Sequence, residues 1–228
     1  MAVPGQICRW HAFSSLEALQ TEAARMILQS ADDAIMKKGN FSIVLAGGST
    51  PKGLYEKLAK ESADWASWKI YFGDERCLPG DDPERNSFMA EKAWLSLVPI
   101  PEKNIHVIPA ELGPDEGALR YAECLKEVGP FDFVLLGLGE DGHTASLFPG
   151  RKWDNGDVVP VHDAPKPPPE RISLSPSRLS DSCRTCFMVA GKSKKRALSE
   201  WRNGHAIPAS LIIPPSGVDI LFESTIIG

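Results

Sequence analysis

The residues best suited to chemistry lie in one segment near the middle of the chain. A short apolar run over 131–136 precedes them, as expected for a strand that is buried on both faces. Small and polar residues follow it directly: Gly137, Gly139, Asp141, Gly142 and then His143. Glycine permits positive φ and close backbone approach, which a ligand-contacting loop at the carboxyl end of a strand requires. The segment therefore predicts a catalytic site that contains His143.

The same glycines permit two other interpretations. Gly137-x-Gly139-x-x-Gly142 matches the dinucleotide fingerprint, but that fingerprint needs a long helix directly after the glycines. Pro149 interrupts the chain soon after His143, which argues against such a helix. The other interpretation is a strand-end turn with a histidine in a structural role. An Asp-Gly-His sequence flanked by glycines at a strand end favours catalysis over both.

A second glycine-rich turn predicts an anion-binding site. The strand predicted over 41–46 leads into Gly47, Gly48, Ser49 and Thr50. Pro51 suits the first position of a helix, with Thr50 as its N-cap. The free N–H groups and the positive dipole end at a helix start can together hold a phosphate. No Gly-Lys-Ser/Thr follows, so the turn is not a nucleotide P-loop, and an ordinary capped turn is the alternative.

Charged residues follow two further predicted strands. Asp74, Glu75 and Arg76 come after the strand over 69–73, and Lys194 follows the strand over 186–190 and Gly191. Doubly wound sheets bind ligands at the carboxyl ends of their strands. Arg76 can pair with a phosphate or a carboxylate, and Lys194 is a second candidate phosphate contact. A solvated loop and an ordinary surface lysine are the alternatives.

Strands and helices alternate along most of the chain. An amphipathic helix is predicted over 14–38, with capping-box spacing between Ser14 and Glu17. Further helices are predicted over 53–60, 87–97, 114–128 and up to 201, and further strands over 104–108, 172–174 and 218–222. The proline-rich stretch 151–169 is interpreted as an irregular loop across the site. The pattern predicts a single α/β domain over 1–228, a largely parallel sheet with helices on both faces.

Composition narrows the class of protein and its partners. A chain of 228 residues with 43% hydrophobic and 24% charged residues suits a large soluble domain. The net charge of -5 argues against a nucleic-acid surface but permits a local basic pocket for an anionic metabolite. No apolar run is long enough for a membrane span. Five cysteines, an odd number, predict reduced thiols and a cytoplasmic location. No metal-ligand spacing is evident, so no metal or other cofactor is expected.

Five segments together resemble the family of 6-phosphogluconolactonases and glucosamine-6-phosphate deaminases. They are 47–51, 74–76, 137–150, 166–173 and 191–194, and the long central one is the most specific. The resemblance implies a modified Rossmann-like α/β fold. It also implies hydrolysis of 6-phosphoglucono-1,5-lactone to 6-phosphogluconate in the oxidative pentose phosphate pathway. We therefore expect a small sugar-phosphate lactone as partner, neither nucleic acid nor membrane, and a monomer or small homo-oligomer.

The resemblance also implies roles for individual residues. His143 would be the general base, with Asp141 beside it. Residues that bind or position the anionic substrate would be Gly47, Gly48, Ser49, Thr50, Asp74, Arg76, Arg171 and Lys194. In the deaminase branch a tyrosine replaces Arg76 and a glutamate replaces Phe148, so the chain resembles the lactonases more closely. Arg85 departs from the serine that is common in the family.

Lactone hydrolysis needs a base, an anion anchor and donors for the tetrahedral oxyanion. A neutral imidazole, with an ordinary pKa of about 6.5, is available near pH 7 to activate water. Arg76 and the N–H groups of 139–142 are candidate oxyanion donors. A non-catalytic sugar-phosphate sensor is the alternative class, although pure binding has less need for a titratable His143.

Overall fold

Strands and helices alternate along the chain of the computed structural model, which describes residues 5–153 and 156–227. The strands β1 to β10 span Cys8–Phe13, Phe41–Leu45, Trp68–Phe72, Asp74–Arg76, Ile105–His106, Phe131–Gly137, Val158–Val161, Arg171–Leu174, Ser182–Val189 and Val218–Glu223. The helices α1 to α6 span Leu16–Lys38, Ser49–Leu58, Asn86–Ala93, Pro114–Leu125, Pro176–Ser180 and Lys195–Arg202.

Seven of the strands form one parallel sheet. Their order is β1-β10-β9-β6-β2-β3-β5, and every neighbouring pair runs parallel. Every residue of β2 is buried, and so are the first six residues of β6. Both faces of the sheet are therefore covered at its centre, as a parallel sheet requires. The predicted α/β fold with a largely parallel sheet is confirmed.

The order of the strands reverses beside β2. From β2 the chain adds β3 and β5 on one side, whereas β6, β9 and β10 extend the sheet on the other side. The connections that leave β2 and β6 therefore diverge and open a crevice between the carboxyl ends of these two strands. Both strand ends are glycine-rich, with Gly47 after β2 and Gly137 at the end of β6.

Helix α1 lies against the centre of this sheet and contacts β1, β2, β6, β9 and β10. Its N-cap is Ser15, whose hydroxyl accepts a hydrogen bond from the backbone N–H of Ala18. The prediction that Ser14 caps the helix was therefore wrong by one residue. The predicted glycine stop is confirmed, because Gly39 adopts a left-handed φ of 78° and its N–H bonds to the Ile35 carbonyl.

Two buried tyrosines satisfy the backbone at the carboxyl ends of β2 and β3. The Tyr55 hydroxyl accepts from the Ala46 N–H at 3.0 Å and donates to the Ala46 carbonyl at 2.7 Å. The Tyr121 hydroxyl does the same for Phe72, at 3.0 and 3.2 Å. Burial raises the pKa of both phenols. Because these peptide groups are buried, the two hydroxyls replace partners that the sheet no longer supplies at this edge.

A small antiparallel sheet, in the order β4-β8-β7, stands beside the large one. In it Asp74 pairs with Ser173 and Arg76 pairs with Arg171. Asp74 to Arg76 is therefore a strand rather than a solvated loop. The prediction that 151–169 is irregular was wrong for Val158–Val161, which pairs with β8, and residues 154 and 155 of that range lie outside the described part of the chain. This four-residue strand contains Pro160. Because proline is unfavourable within a strand, the sequence did not indicate a strand at this position.

Other boundaries differ from the predictions. Helix α2 begins at Ser49 with Gly48 as its N-cap, so Thr50 lies inside the helix and is not the cap. Helix α3 ends at Ala93, and the strand predicted over 104–108 contains only Ile105 and His106. Strand β1 and helix α5 were missed, because both are short and lack a clear hydrophobic period.

We predict that Tyr121→Phe lowers the free energy of unfolding by about 1–3 kcal/mol, because the buried N–H and carbonyl of Phe72 lose their partner. Urea denaturation followed by circular dichroism would measure the loss. Tyr71→Phe is the matched control, since Tyr71 is also buried but its hydroxyl makes no hydrogen bond to any described residue. Equal losses in both variants would contradict this role of Tyr121.

Candidate active site

A cavity of about 320 Å³ lies in the crevice where the strand order reverses. The turns after β2, β3 and β6 contribute backbone to its wall, and so does the loop before β8. Its charged and polar lining residues are Asp74, Arg76, Asn86, His143, Thr144, Lys166, Arg171 and Lys194. Five of these residues, Asp74, Arg76, His143, Arg171 and Lys194, were predicted from separate parts of the sequence, and they meet in one cavity.

The turn after β6 is bonded internally so that it presents His143. The Gly139 N–H donates to the His143 carbonyl at 2.7 Å, and the Gly142 N–H donates to the Gly139 carbonyl at 3.1 Å. A Cβ on Gly139 would collide with the His143 ring, and Gly142 has a φ of 84°. Gly139 is therefore needed for close approach and Gly142 for positive φ. This is the role that the sequence predicts for glycine here, although a Cβ on Gly137 would meet nothing within 4 Å.

Asp141 lies behind His143 and outside the cavity wall. Its Oδ1 lies 2.5 Å from the His143 Nδ1 and also accepts from the His143 backbone N–H at 3.2 Å. Since a carboxylate accepts, the Nδ1 of the neutral imidazole carries the proton. The other ring nitrogen, Nε2, is thereby left unprotonated and able to accept a proton. The pair predicted from Asp-Gly-His spacing is therefore formed.

The surroundings of this pair favour a neutral imidazole. Burial lowers the pKa of His143, and the opposing effects of the Asp141 charge and hydrogen bond do not fully offset it. The positive charge of Lys166 lowers this pKa further, whereas Asp74 raises it. For Asp141, burial raises the pKa, but the charge and hydrogen bonds of His143 bring it below its ordinary value. At neutral pH the pair therefore consists of a neutral imidazole and a carboxylate.

Phe148 packs against the other side of the imidazole. Its ring centroid lies 4.8 Å from that of His143, and its side chain is buried. The Arg171 guanidinium lies on the same phenyl ring at 5.7 Å. The residue at position 148 thus orients His143 by an apolar contact and carries no proton-transferring group.

Asp74 is a buried carboxylate held by two donors. The Ser146 hydroxyl donates to Oδ2 at 2.6 Å, and the Asn86 amide donates to Oδ1 at 3.2 Å. The Asn86 amide also donates to the Asp74 carbonyl at 3.0 Å, and a Cβ on Gly47 would collide with that amide. Asn86 therefore joins the turns after β2 and β3. It requires glycine at position 47 in order to do so.

Asn86 is in turn positioned by the fully buried Glu75. The Glu75 carboxylate accepts from the backbone N–H groups of Arg76, Asn86 and Ser87 at 2.7 to 2.9 Å. It therefore caps the first turn of α3. Arg85 lies 3.5 Å from this carboxylate and is itself buried, where it also bonds to Glu111 and to the Ile108 carbonyl. Arg85, which departs from the family pattern, is thus a structural ion-pair partner.

Two arginines meet across the small sheet. Arg76 and Arg171 are directly opposite each other in the pairing of β4 with β8. Like charges in this arrangement repel. Burial lowers the pKa of Arg171, and Arg76 adds to this lowering while Asp74 opposes it. Both side chains line the cavity, so an anion placed between them would relieve their repulsion.

Arg171 also fixes the loop that precedes it. Its Nη2 donates to the carbonyls of Lys166 and Pro167, and its Nε donates to that of Pro168. Lys166 lines the cavity from this loop, and Lys194 lines it from the turn after β9. Burial lowers the pKa of Lys194, and the nearby Lys166 lowers it as well, whereas Glu140 raises it. The cavity therefore receives four cationic side chains.

Only some residues of the turn after β2 line the cavity. Gly47 and Gly48 line the cavity, whereas Ser49 and Thr50 lie in the first turn of α2 and do not. No side chain caps this helix, so the N–H groups of Ser49 and Thr50 have no partner within it. The predicted anion-binding geometry of a helix start is present, but the two hydroxyls do not form the wall of the cavity.

Sequence reasoning missed four residues of the site. Asn86, Ser146 and Lys166 were given no role, and Thr144 was quoted only as part of a motif. No local signal identifies Asn86 or Ser146, since their importance comes from contacts with Asp74. The N–H groups of Gly139 and Gly142 are engaged within the turn, so these two are not free to bind an oxyanion. The N–H groups of Glu140 and Asp141 and the side chain of Arg76 stay candidate oxyanion donors.

Among the described residues, no cluster of three or more histidine, cysteine or acidic side chains is arranged to hold a metal ion. All five cysteines are free thiols, with Cys183 exposed and Cys186 buried in β9. No helix in residues 5–153 and 156–227 has the length and apolar character to span a bilayer.

Comparison with known sequences identifies the family. A family model described as glucosamine-6-phosphate isomerases/6-phosphogluconolactonase matches residues 14–221. A curated 6-phosphogluconolactonase of Nostoc sp. is 34% identical over 224 residues, which cover 92% of this chain and 87% of the relative. Another, from Synechocystis sp., is 41% identical over 178 residues, which cover 73% of each chain.

Solved structures agree with these sequence matches. The crystal structure of 6-phosphogluconolactonase from Thermotoga maritima aligns with a TM-score of 0.86 and 25% identity, covering 96% of this chain and 99% of that one. A monomeric glucosamine-6-phosphate deaminase aligns with a TM-score of 0.83 at 22% identity, over 96% of this chain and 98% of that one, and shows the shared fold alone. The chain therefore belongs to the family of glucosamine-6-phosphate isomerases and 6-phosphogluconolactonases, as its motifs indicate.

Proposed function

We propose that this protein hydrolyses 6-phosphoglucono-1,5-lactone to 6-phosphogluconate, the lactone-opening step of the oxidative pentose phosphate pathway. The observation that carries the proposal is the pairing of a neutral His143 with Asp141 on a cavity that receives four cations. The base suits water activation, and the cations suit a substrate with a phosphate group. The curated lactonases among the relatives support the same reaction class.

His143 acts as the general base in this proposal. Its Nε2 takes a proton from water as the water oxygen attacks the lactone carbonyl carbon, and Asp141 stabilises the imidazolium that forms. The tetrahedral oxyanion then collapses, the bond from the carbonyl carbon to the ring oxygen breaks, and His143 returns the proton to that oxygen. The product is a carboxylic acid, which releases one proton to solvent at neutral pH.

The cations anchor the anionic substrate. Arg76 and Arg171 face each other across the small sheet, while Lys166 and Lys194 approach from the loop before β8 and the turn after β9. The free N–H groups at the start of α2 add uncharged donors. Binding energy from the remote phosphate would hold the lactone carbonyl near His143, which raises kcat/KM. Asp74 is an acceptor for sugar hydroxyls on the same wall.

The apolar neighbour of His143 favours a lactonase over a deaminase. Deaminases of this family, as the resemblance implies, use a glutamate where this chain has Phe148. The buried Phe148 ring cannot donate or accept the protons that amino-sugar ring opening and isomerisation require. The phenyl ring instead contributes to the burial that lowers the pKa of His143.

The remaining predictions belong to this proposal. Residues 1–228 act as a single domain, because strands of both sheets contribute residues to one cavity. Five free thiols support a reducing compartment such as the cytoplasm. A monomer or a small homo-oligomer stays the predicted assembly.

The test is proton release after addition of freshly generated 6-phosphoglucono-1,5-lactone, corrected for spontaneous opening. Accelerated release by the purified protein supports the proposal. An absence of acceleration, together with ammonia release from glucosamine-6-phosphate, would instead identify a deaminase. Binding of 6-phosphogluconate without either activity would identify a sensor.

We predict that His143→Ala lowers kcat by ~10²–10⁴-fold and leaves the fold intact, because the general base is lost. In the wild type the acid limb of the pH–rate profile should have its midpoint below the ordinary pKa of histidine, since burial lowers the pKa of His143. Stopped-flow proton-release assays between pH 4.5 and 8, on the order of two units either side of that value, would measure both quantities. Turnover of the variant near that of the wild type would refute the base assignment.

We predict that Asp141→Asn lowers the pKa of His143 further, because the carboxylate charge that raises it is removed. It should also reduce kcat at least ~10-fold, since the imidazolium loses its partner. An NMR titration of the histidine ring protons would follow the pKa. His106, which stacks on Tyr71 at the edge of the sheet, provides an internal control resonance that should not move. An unchanged or raised pKa of His143 would contradict the pairing.

We predict that Arg76→Ala and Lys194→Ala each reduce kcat/KM at least ~10²-fold for the phosphorylated lactone, because a charge-assisted contact to phosphate is lost. Activity toward glucono-1,5-lactone, which lacks phosphate, should change by less than about threefold. Lys192→Ala is the matched control, since Lys192 lies in the same turn as Lys194 but is exposed and outside the cavity. Equal losses toward both lactones would count against the anchor role.

A further inference from the structure

Thr144, directly after His143, carries a buried hydroxyl without a partner. The residue is 1% exposed, and its Oγ1 makes no hydrogen bond to any described residue. Thr144 also lines the cavity that holds His143. A buried hydroxyl without a partner destabilises a folded protein, so such groups are rare unless they have another role. The threonine therefore calls for a functional explanation.

The backbone after β6 turns so that three consecutive residues line the cavity. His143, Thr144 and Ala145 all line the cavity, whereas an extended segment would direct neighbouring side chains to opposite sides. Ala145 has a φ of 46°, a left-handed conformation that is unfavourable for a residue with a Cβ. Strained backbone of this kind concentrates at functional sites. The turn thus holds Thr144 beside the base at a cost in stability.

Four donors near Thr144 are committed to other partners. The N–H groups of Gly139 and Gly142 bond within the turn, and the Ser146 hydroxyl donates to Asp74. The Ser173 hydroxyl donates to the Leu174 carbonyl. Of the two hydroxyls in the segment from His143 to Ser146, only that of Thr144 is without a partner among the described residues.

We propose that Thr144 is a further catalytic residue, whose hydroxyl donates a hydrogen bond to the lactone carbonyl oxygen as negative charge develops there. This inference rests on the proposed lactonase activity. The threonine side chain has three staggered positions about its Cα–Cβ bond, and in this proposal the hydroxyl takes the one that directs it into the cavity. The hydroxyl keeps its proton throughout. Water, His143 and the ring oxygen still account for every proton transferred in the reaction.

The test compares Thr144→Val with Thr144→Ser. Valine has nearly the same shape but no hydroxyl, so we expect kcat to fall ~10–10²-fold with little change in KM, because the bond forms in the transition state. Serine keeps the hydroxyl and should retain activity within about threefold of the wild type. The midpoint of the pH–rate profile should not move in Thr144→Val, because the hydroxyl does not titrate and His143 keeps its partner Asp141.

Thermal unfolding separates this role from a structural one. Thr144→Val should keep or raise the Tm, because it removes a buried polar group that has no partner. Thr185→Val is the matched control: Thr185 is also buried, but its hydroxyl bonds to that of Ser182 at 2.7 Å. That variant should lower the Tm while the folded enzyme keeps its kcat.

Three results would overturn the assignment of Thr144 alone. Wild-type kcat in Thr144→Val, or a fall in its Tm comparable to that of Thr185→Val, would overturn the assignment of Thr144 and leave the lactonase proposal intact. A shifted pH midpoint would show that the substitution acts through His143, and would also overturn it. A wild-type protein without lactonase activity would overturn both proposals together.

Discussion

The reversal of strand order between β2 and β6 is the constraint on which the rest of the site depends. Parallel strands end at one edge, and only where the connections diverge does that edge open into a crevice. Peptide groups at such an edge lose their partners in the sheet. In this protein the buried hydroxyls of Tyr55 and Tyr121 replace them at the ends of β2 and β3. These hydrogen bonds fix the backbone at the edge from which the proposed general base projects.

Charge in the crevice is arranged around one buried carboxylate. Asp74 is held by Asn86 and Ser146, and Asn86 is held in turn by Glu75, which caps α3. Arg76 and Arg171 are opposed across the small sheet with Asp74 near them. The folded protein therefore keeps like charges close together, an arrangement that an anionic substrate stabilises. In the proposed function, pre-organisation of the site and affinity for a phosphate follow from the same contacts.

Local sequence predicted a structural feature correctly where residues close together in the chain form that feature. The apolar run and glycines around His143 predicted the strand, the turn and the Asp141 pairing, because all of these lie within one short segment. It was a poorer guide to short elements such as β7, whose pairing with β8 supplies the stability that its own sequence lacks. The cap of α2 was misplaced for a related reason. Asn86 approaches the turn at Gly47, directly before the Gly48 cap, and this contact between distant residues could not be inferred from Thr50.

The sequence by itself determined the fold class, the glycine-dependent turns, the pairing of His143 with Asp141 and most of the cationic residues of the cavity, since these are recorded in periodicity and motifs. Only the tertiary structure decided which of them meet. Antiparallel pairing of β4 with β8 places Arg171 opposite Arg76, and folding around Asp74 gives Asn86 and Ser146 their roles. It is likewise invisible in sequence that the Thr144 hydroxyl has no partner in the part of the chain that the structure describes. The physical reason is that burial, desolvation and the absence of a hydrogen-bond partner are properties of the three-dimensional surroundings of a residue.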